Sequence, residues 1–467
     1  MIDTLLLAAR VPACHAEEPP PEGLWILYAP AADATAAAER CLHLWHDASA
    51  WRRLDSGAAV ECAGSNDDAP ALVFAERGHA EARAAAIDFD LPLNAFYFLS
   101  SWAERRGGAP SRQLYATSEF ARLGIAQDIV DRYLAHLIDR LTLLAQSRGA
   151  QAALASAWPT WPGDRTFAVV LSHDVDFLPV GPTDNVVQGA KTIMRHLVRQ
   201  RDPVDAWCAA RGWAKALMQG RDPYGCVPHI LAREQAMGVK SSFQIAVGHR
   251  HPHDVNYYIE DDRVRDYLRA VTDAGFEIGL HGSYRSTENP QWYVEEAHLL
   301  AQRLSQPLGS RQHFLSFDYD ALFAAQETAG IRYDMSMGFP DRPGPRAGFS
   351  HPYFPYNISE DRPYRVLQIS LFLMDVTLRG YLGLRANAAQ PTIDACLDDL
   401  QAKHGCASIV WHPIVFGGAR DPGYDELYFR LIERVQARRG LASDGRTIDA
   451  FWREQARHYP SFEGLPA

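Results

Sequence analysis

The chain has 467 residues, which is too long for one ordinary domain, so we expect two. With 47% hydrophobic and 22% charged residues, it has the composition of a globular protein that can bury a large core. The formal net charge of −11 and the absence of a basic run argue against nucleic-acid binding, which depends on neutralising phosphates.

The chain has seven cysteines, an odd number, and no pair of them has C-x-x-C spacing. This argues against a disulfide scaffold or a zinc finger, and we expect thiols in a reducing compartment. The first residues lack the positively charged segment and the long apolar segment that are typical of a signal peptide. No apolar run approaches the length of a membrane span. We therefore expect a cytoplasmic protein without a membrane span.

Residues 1–160 are predicted to form a separate, smaller amino-terminal α/β domain of unknown role. No residues in it have catalytic spacing, and the two prolines and the glycine of Trp158 to Gly163 favour a boundary. The pattern predicts strands at Leu24 to Ala29 and Ala71 to Ala75, a helix start at Asn94 to Trp102, and an amphipathic helix from Asp128 to Leu144.

Residues 161–467 show a regular alternation of strand-like and helical patterns. The helical patterns are Pro228 to Met237, Arg263 to Ala274, Trp292 to Leu304, Asp320 to Ala329 and Thr392 to Lys403. The strand-like segments are Phe167 to Ser172, Lys240 to Ala246, Phe276 to Leu280, Ser310 to Phe314, Ile331 to Met335, Arg365 to Leu371 and Ala407 to Trp411. This alternation predicts a parallel sheet, and seven or eight units favour a closed or nearly closed barrel.

Polar side chains gather where these predicted strands end. In a parallel barrel the carboxyl ends of all strands meet on one face, where active sites are built. Five strand ends with polar residues are difficult to explain by packing alone. They carry Asp174 and Asp176, His281, Arg311 and His313, Asp334, and Trp411 with His412.

Asp174 and Asp176 are two residues apart, so on an extended strand both side chains point to the same side. Two adjacent carboxylates repel unless a cation lies between them. A divalent metal would allow one carboxylate to ligate the ion and the other to accept a proton from water. Alone, such a pair is more often a helix cap or part of a salt-bridged loop than a metal site. His281 and His412 at matching strand ends favour the metal site.

Several other polar residues have weaker patterns. His249, His251 and His253 alternate, as metal ligands can, but Pro252 and the polar surroundings favour an exposed loop. Asp334 and Asp375 lie near strand ends, where each would orient Arg311, bind a substrate hydroxyl or cap a helix. Trp411 would stack on a sugar face or, as is more usual for tryptophan, pack in the core.

The motifs SHDVD (172–176), EIGLHGSY (277–284) and RQHFL (311–315) resemble those of the polysaccharide deacetylase superfamily, in a branch with an extra amino-terminal domain. The resemblance covers about residues 165–415 and implies a distorted seven-stranded β/α barrel. It implies Asp174 as the catalytic base, Arg311 as the residue that orients the base, and His412 as the general acid. It implies Asp176 and His281 as metal ligands.

The sequence departs from the family at one ligand. The second family motif usually supplies another histidine one helical turn after the first, and here that residue is Arg285. We predict His313 as the substitute third ligand. His173 is a weaker candidate, because strand alternation turns it away from Asp174 and Asp176.

The resemblance implies a hydrolase that uses one divalent metal ion, zinc being the expected one, to remove acetyl groups from N-acetylated carbohydrates. Asp334, Asp375 and Trp411 are the predicted substrate contacts. Two alternatives stay open: a non-catalytic carbohydrate-binding or assembly protein, which Arg285 would favour, and an amidase for a small-molecule amide. The sequence does not indicate the sugar, the polymer length or the oligomeric state.

Overall fold

A computed structural model provides the structure of the protein. It describes residues 1–9, 25–29, 41–56, 86–87, 89–106, 113–147, 160–181, 183–199, 201–218, 220, 222–304 and 308–465. The predicted strand at Ala71 to Ala75 lies outside the described residues, as do the first two residues of the predicted boundary segment.

The amino-terminal region combines a small parallel sheet, in the order β1-β2-β3, with six helices among its described residues. The predicted amphipathic helix is confirmed as α6. The predicted helix start at Asn94 is wrong by three residues, because Asp90 caps the helix through Leu93 N (2.9 Å) and Pro92 occupies the first turn. The elements are α1 (Ile2–Ala9), β1 (Trp25–Ala29), β2 (Cys41–Trp45), α2 (Ala48–Ser56), β3 (Ala86–Ile87), α3 (Leu91–Leu99), α4 (Trp102–Arg106), α5 (Glu119–Leu123) and α6 (Ile129–Ser147).

Most of the remaining described residues alternate between strands and helices, as the sequence predicted, but five strands between Tyr333 and Met374 follow one another without an α-helix. The strands are β4 (Ala168–Val175), β5 (Ser242–Ile245), β6 (Glu277–Gly282), β7 (Gly309–Gln312), β8 (Tyr333–Asp334), β9 (Tyr356–Asn357), β10 (Arg362–Pro363), β11 (Leu367–Gln368), β12 (Leu371–Met374), β13 (Cys406–Val410) and β14 (Leu441–Ser443). The helices are α7 (Asp184–Met194), α8 (Pro203–Met218), α9 (Val227–Ala236), α10 (Asp262–Asp273), α11 (Pro290–Arg303), α12 (Tyr319–Ala329), α13 (Ala386–Ala402), α14 (Tyr424–Ala437) and α15 (Gly445–Ala456).

The main sheet is parallel and curled, with the strand order β11-β8-β7-β6-β5-β4-β13-β12, and β14 adds to β4. This path has eight strands in the described residues, so the prediction of seven is wrong. The predicted strand from Arg365 to Leu371 is divided, since the chain changes partners between β11 and β12. Ile369 N bonds to Asp334 O (2.9 Å) on one side, and Ser408 N bonds to Ser370 O (2.8 Å) on the other. The two ends of the curled sheet are therefore adjacent in the chain.

The amino-terminal region packs against this sheet and its loops. The Asp131 carboxylate of α6 accepts hydrogen bonds from Ser350 N (2.9 Å) and Ser350 Oγ (2.6 Å), and Arg346 pairs with Glu104 of α4 (2.6 Å). One buried apolar cluster includes residues of both parts, such as Leu137 and Val170. Among the described helices, none is long and apolar enough to cross a bilayer.

Candidate metal centre and active site

The candidate site lies at the carboxyl end of the curled sheet. Asp174 is near the end of β4, and Asp176 follows that strand directly. His281 on β6 is the parallel neighbour of Arg311 on β7. Two more histidines follow strands, since His313 comes after β7 and His412 comes two residues after β13. Because the strands are parallel, these ends meet at one mouth.

Asp176, His281 and His313 form a candidate metal group, in which one ligand atom from each lies within 4.8 Å of the other two. The distance from Asp176 Oδ1 to His281 Nε2 is 3.2 Å, and that from Asp176 Oδ1 to His313 Nε2 is 3.6 Å. Two ligand atoms at the usual bond lengths from one tetrahedral zinc ion are about 3.4 Å apart. The observed separations lie on either side of that value.

The hydrogen bonds of the group also suit a cation. Nδ1 of His281 lies 2.9 Å from the Arg311 carbonyl oxygen, which places the proton on Nδ1 and leaves a lone pair on Nε2. Nε2 of His281 and Oδ1 of Asp176 are shielded from solvent, and their polar neighbours are other atoms of this group. The donor set therefore fits one divalent ion.

His313 reaches the group from a sharp turn. β7 ends at Gln312, earlier than predicted, and Phe314 and Leu315 both have positive φ angles of 57° and 54°. Non-glycine residues rarely adopt this conformation. The turn buries His313 with its ring 4.8 Å from that of His281.

Arg285, where the motif resemblance led us to expect a histidine, points away from the group. Its side chain is half exposed, and its Nε lies 3.6 Å from Oε2 of Glu288. The position that lacks the usual ligand is thus on the protein surface, and the second imidazole of the candidate group belongs to His313.

Asp174 is held by Arg311, whose Nη1 donates to Asp174 Oδ1 (2.7 Å). The guanidinium is fully buried and also donates to Ser172 Oγ (2.8 Å) and to the Met335 carbonyl (3.0 Å). Burial acts to raise the pKa of Asp174, but Arg311 and the nearby histidines outweigh it, so the pKa is lowered. Asp174 is therefore a carboxylate at neutral pH.

His412 is paired with Asp375, whose Oδ1 lies 2.7 Å from His412 Nδ1 and whose Oδ2 accepts from His412 N (3.2 Å). Burial acts to lower the pKa of His412, but Asp375 and Asp176 outweigh it and raise the pKa to about 9. Nε2 of His412 faces the site, 3.4 Å from Asp176 Oδ2. The sequence analysis did not predict that Asp375 pairs with His412. The position of Asp375 at the end of β12, close to the ends of the neighbouring strands, could have indicated this pairing.

The other predicted substrate contacts lie in the protein interior. Asp334 accepts from Ser336 N, Ser336 Oγ and Gln326 Nε2, each at 2.7 Å, and burial raises its pKa to about 6. Trp411 is fully buried, and its indole N–H donates to the Tyr424 carbonyl (2.9 Å). Trp411 therefore packs in the core, which was the alternative to stacking on a sugar in the sequence analysis.

The remaining histidines are outside the metal group. His173 is fully buried on the other side of β4, with Nδ1 2.6 Å from the Trp411 carbonyl and Nε2 3.0 Å from Glu234 Oε1. His249 stacks on Tyr258, whereas His251 and His253 lie against Tyr284. These three therefore do not converge on one point.

A cavity of about 90 Å³ opens beside Asp176, Asp375 and His412. The sequence analysis did not predict the charged residues of its far wall, because they come from segments that are far apart in the chain. Arg195 Nη2 pairs there with Asp421 Oδ1 (2.8 Å). The other charged residues of that wall are Arg379 and Arg420.

No protein-family model matches the sequence, and no curated protein matches it. Two similar solved structures are described as polysaccharide deacetylases. The one from Mycobacterium smegmatis is 18% identical with a TM-score of 0.44, and the match covers 64% of this chain and 94% of that chain. The one from Pseudomonas aeruginosa PAO1 is 16% identical with a TM-score of 0.41, with the same coverage of 64% and 94%.

Proposed function

We propose that this protein is a metal-dependent hydrolase that removes acetyl groups from N-acetylated sugars. The observation that carries the proposal is the convergence of Asp176, His281 and His313, whose ligand atoms lie within 4.8 Å of one another. An ionised carboxylate, Asp174, and a histidine of raised pKa, His412, flank this group. Two titratable groups whose pKa values are driven apart are typical of a base and an acid that act together. The motif resemblance supports the sugar acetamide as substrate.

Asp176, His281 and His313 would hold the ion. When bound, a divalent ion such as zinc acts as a Lewis acid that polarises the amide carbonyl and lowers the pKa of water. Asp174 accepts the proton of the attacking water, and Arg311 keeps its carboxylate oriented through Oδ1.

His412 completes the reaction at the leaving group. Asp375 holds its ring through Nδ1, so Nε2 carries the proton that is transferred to the amide nitrogen. The water oxygen forms a bond to the acetyl carbon, the carbon–nitrogen bond breaks, and the products are acetate and a free amine. A protonated histidine at neutral pH is suited to this step, because an amine leaves readily only when it is protonated.

Metal analysis of the purified protein, combined with acetate release from a panel of N-acetylated glycans and small amides, tests this function. We expect one metal per chain and acetate release from the glycans. His313→Ala should lose the stoichiometric metal, whereas Arg285→Ala, its matched control, should keep it. A wild-type protein that binds no metal and releases no acetate would favour the non-catalytic alternative. Release from small amides alone would favour the amidase.

A further inference from the structure

A helical pair lies between β4 and β5, formed by α7, the turn Arg195–Arg199 and α8. The two helices pack closely at Gly189, where an added Cβ would lie 2.8 Å from Trp213 Nε1. Trp213 Nε1 also donates to the Asn185 carbonyl (3.0 Å). The pair is therefore a packed unit with an inner and an outer face.

The inner face is attached to loops beside the candidate site. Arg195 pairs with Asp421, and Nε2 of His196 lies 2.7 Å from the Arg420 carbonyl. Gly212 of α8 approaches Gly418 so closely that a Cβ on it would lie 2.4 Å from the Gly418 carbonyl oxygen. These contacts fix the orientation of the pair, so its outer face points away from the rest of the protein.

The outer face is unusually apolar for a surface. Among the described residues, nine of the sixteen large apolar side chains that are exposed belong to this pair. Exposed fractions reach 82% at Met218, 65% at Val198 and 62% at Trp207. Scattered exposed apolar residues are normal, but a contiguous group marks an interaction surface. The nine are Val186, Val187, Met194, Leu197, Val198, Val204, Trp207, Leu217 and Met218.

Basic side chains share this face. Each helix has a stripe at intervals of three and four residues, which is one side of a helix. The stripes are Val187, Lys191, Met194 and Val198 on the first helix and turn, and Val204, Trp207, Arg211, Lys215 and Met218 on the second.

The exposed charges of the pair are all positive. In the described part of 183–218 the exposed charged residues are Lys191, Arg199, Arg201, Arg211 and Lys215. The acidic residues there are Asp184, Asp202 and Asp205. All three are at least partly buried, and Asp202 and Asp205 pair with Arg385 and Arg379. A uniformly basic face stands out on a chain with a net charge of −11.

We propose that this outer face binds the surface of an anionic lipid bilayer. Helices with basic residues and exposed Trp, Leu, Val and Met on one side lie in the membrane interface, with the apolar side chains among the acyl chains and the cations at the headgroups. A second copy of this chain is a poorer partner. A two-fold interface would place this basic face against itself, and like charges would repel. The proposal does not depend on the proposed reaction.

Co-sedimentation of the full chain with vesicles tests the proposal. Vesicles of 70% phosphatidylcholine and 30% phosphatidylglycerol should bind the wild type, more weakly at high salt, and phosphatidylcholine alone should bind it poorly. Lys191→Gln/Arg211→Gln/Lys215→Gln should reduce the partition coefficient roughly 100-fold, at roughly fivefold per basic residue. Val198→Ser/Trp207→Ser/Met218→Ser should also lose binding. Circular dichroism melts establish whether each variant is folded. If the serine variant is unfolded, the vesicle binding of the charge variant alone tests the proposal.

Matched controls come from exposed residues elsewhere. Tyr258→Ser/Ile358→Ser removes two exposed apolar side chains, and Arg265→Gln/Arg269→Gln removes two exposed cations of α10. Both should bind vesicles like the wild type. The proposal is overturned if the wild type does not prefer anionic vesicles, or if the controls lose as much binding as the outer-face variants. It is also overturned if sedimentation velocity shows a dimer that the serine variant dissociates.

Discussion

Replacing Glu277 by glutamine should change how the stability of the protein depends on pH. Glu277 begins β6, at the end of the sheet opposite the candidate site. Its Oε2 accepts from Tyr333 OH (2.6 Å), Ser242 Oγ (2.7 Å) and Arg446 N (3.1 Å), and its Oε1 is buried without a partner. Burial, with a contribution from Asp444, raises the pKa of Glu277 from 4.5 to about 7 despite these hydrogen bonds.

The raised pKa determines the sign of the effect. Between pH 4.5 and 7 the folded state holds the Glu277 proton more tightly than the unfolded state does, so the free energy of unfolding falls as pH rises through this range. One pKa unit corresponds to about 1.36 kcal/mol, and the shift therefore lowers the wild-type stability by about 3 kcal/mol above pH 7. Glutamine keeps an oxygen for the three donors and has no proton to lose.

Urea unfolding of the wild type and of Glu277→Gln, from pH 4.5 to 8, provides the measurement. The unfolding free energy of the variant minus that of the wild type should increase by about 3 kcal/mol from pH 4.5 to pH 8. This increase is expected whatever the difference is at pH 4.5. Glu433→Gln, at an exposed position of α14, is the control and should give a constant difference. A constant difference for Glu277→Gln as well would refute the reasoning.

Three further predictions concern the candidate site. His281→Ala should abolish stoichiometric metal binding, because a ligand nitrogen is lost; unchanged metal content would refute its assignment. Asp174→Asn should keep the metal and lower kcat by roughly 10²–10⁴-fold, as expected for loss of a general base; a variant that also loses the metal would make Asp174 a ligand. Asp375→Asn should lower the pKa of His412 from about 9, so the alkaline limb of the kcat/KM profile should move to lower pH, and an unmoved limb would contradict the pairing.

The parallel arrangement of the strands and the location of the site were predictable from the sequence. Alternating strand and helix patterns determine a parallel sheet, and the carboxyl ends of parallel strands meet on one face. Asp174, His281 and Arg311 lie on the strands themselves, so their position follows from this rule. The two-residue gap between β11 and β12 was not predictable, because apolar residues recur throughout 365–371 and nothing in that pattern marks where the hydrogen-bond partners change.

Other features depend on tertiary contacts that a local pattern does not contain. The partner of Asp375 is His412, 37 residues further along the chain. The burial of Trp411 depends on α14, which begins after it. His313 was expected on a regular strand, but it reaches the site through a turn with two positive φ angles. The placement of His313 beside Asp176 and His281 therefore depends on this turn, which the strand pattern does not contain.

Arg311 contacts both halves of the proposed chemistry through different groups. Its guanidinium holds Asp174, and its backbone carbonyl lies 2.9 Å from His281 Nδ1. In the proposed mechanism, one residue therefore contacts both the base and a metal ligand, and any coupling between metal binding and protonation of the base would be reciprocal. A side-chain substitution at Arg311 releases the base but leaves the carbonyl that orients the ligand. A displacement of the β7 backbone disturbs both at once, so loss of metal affinity and loss of base function would then occur together.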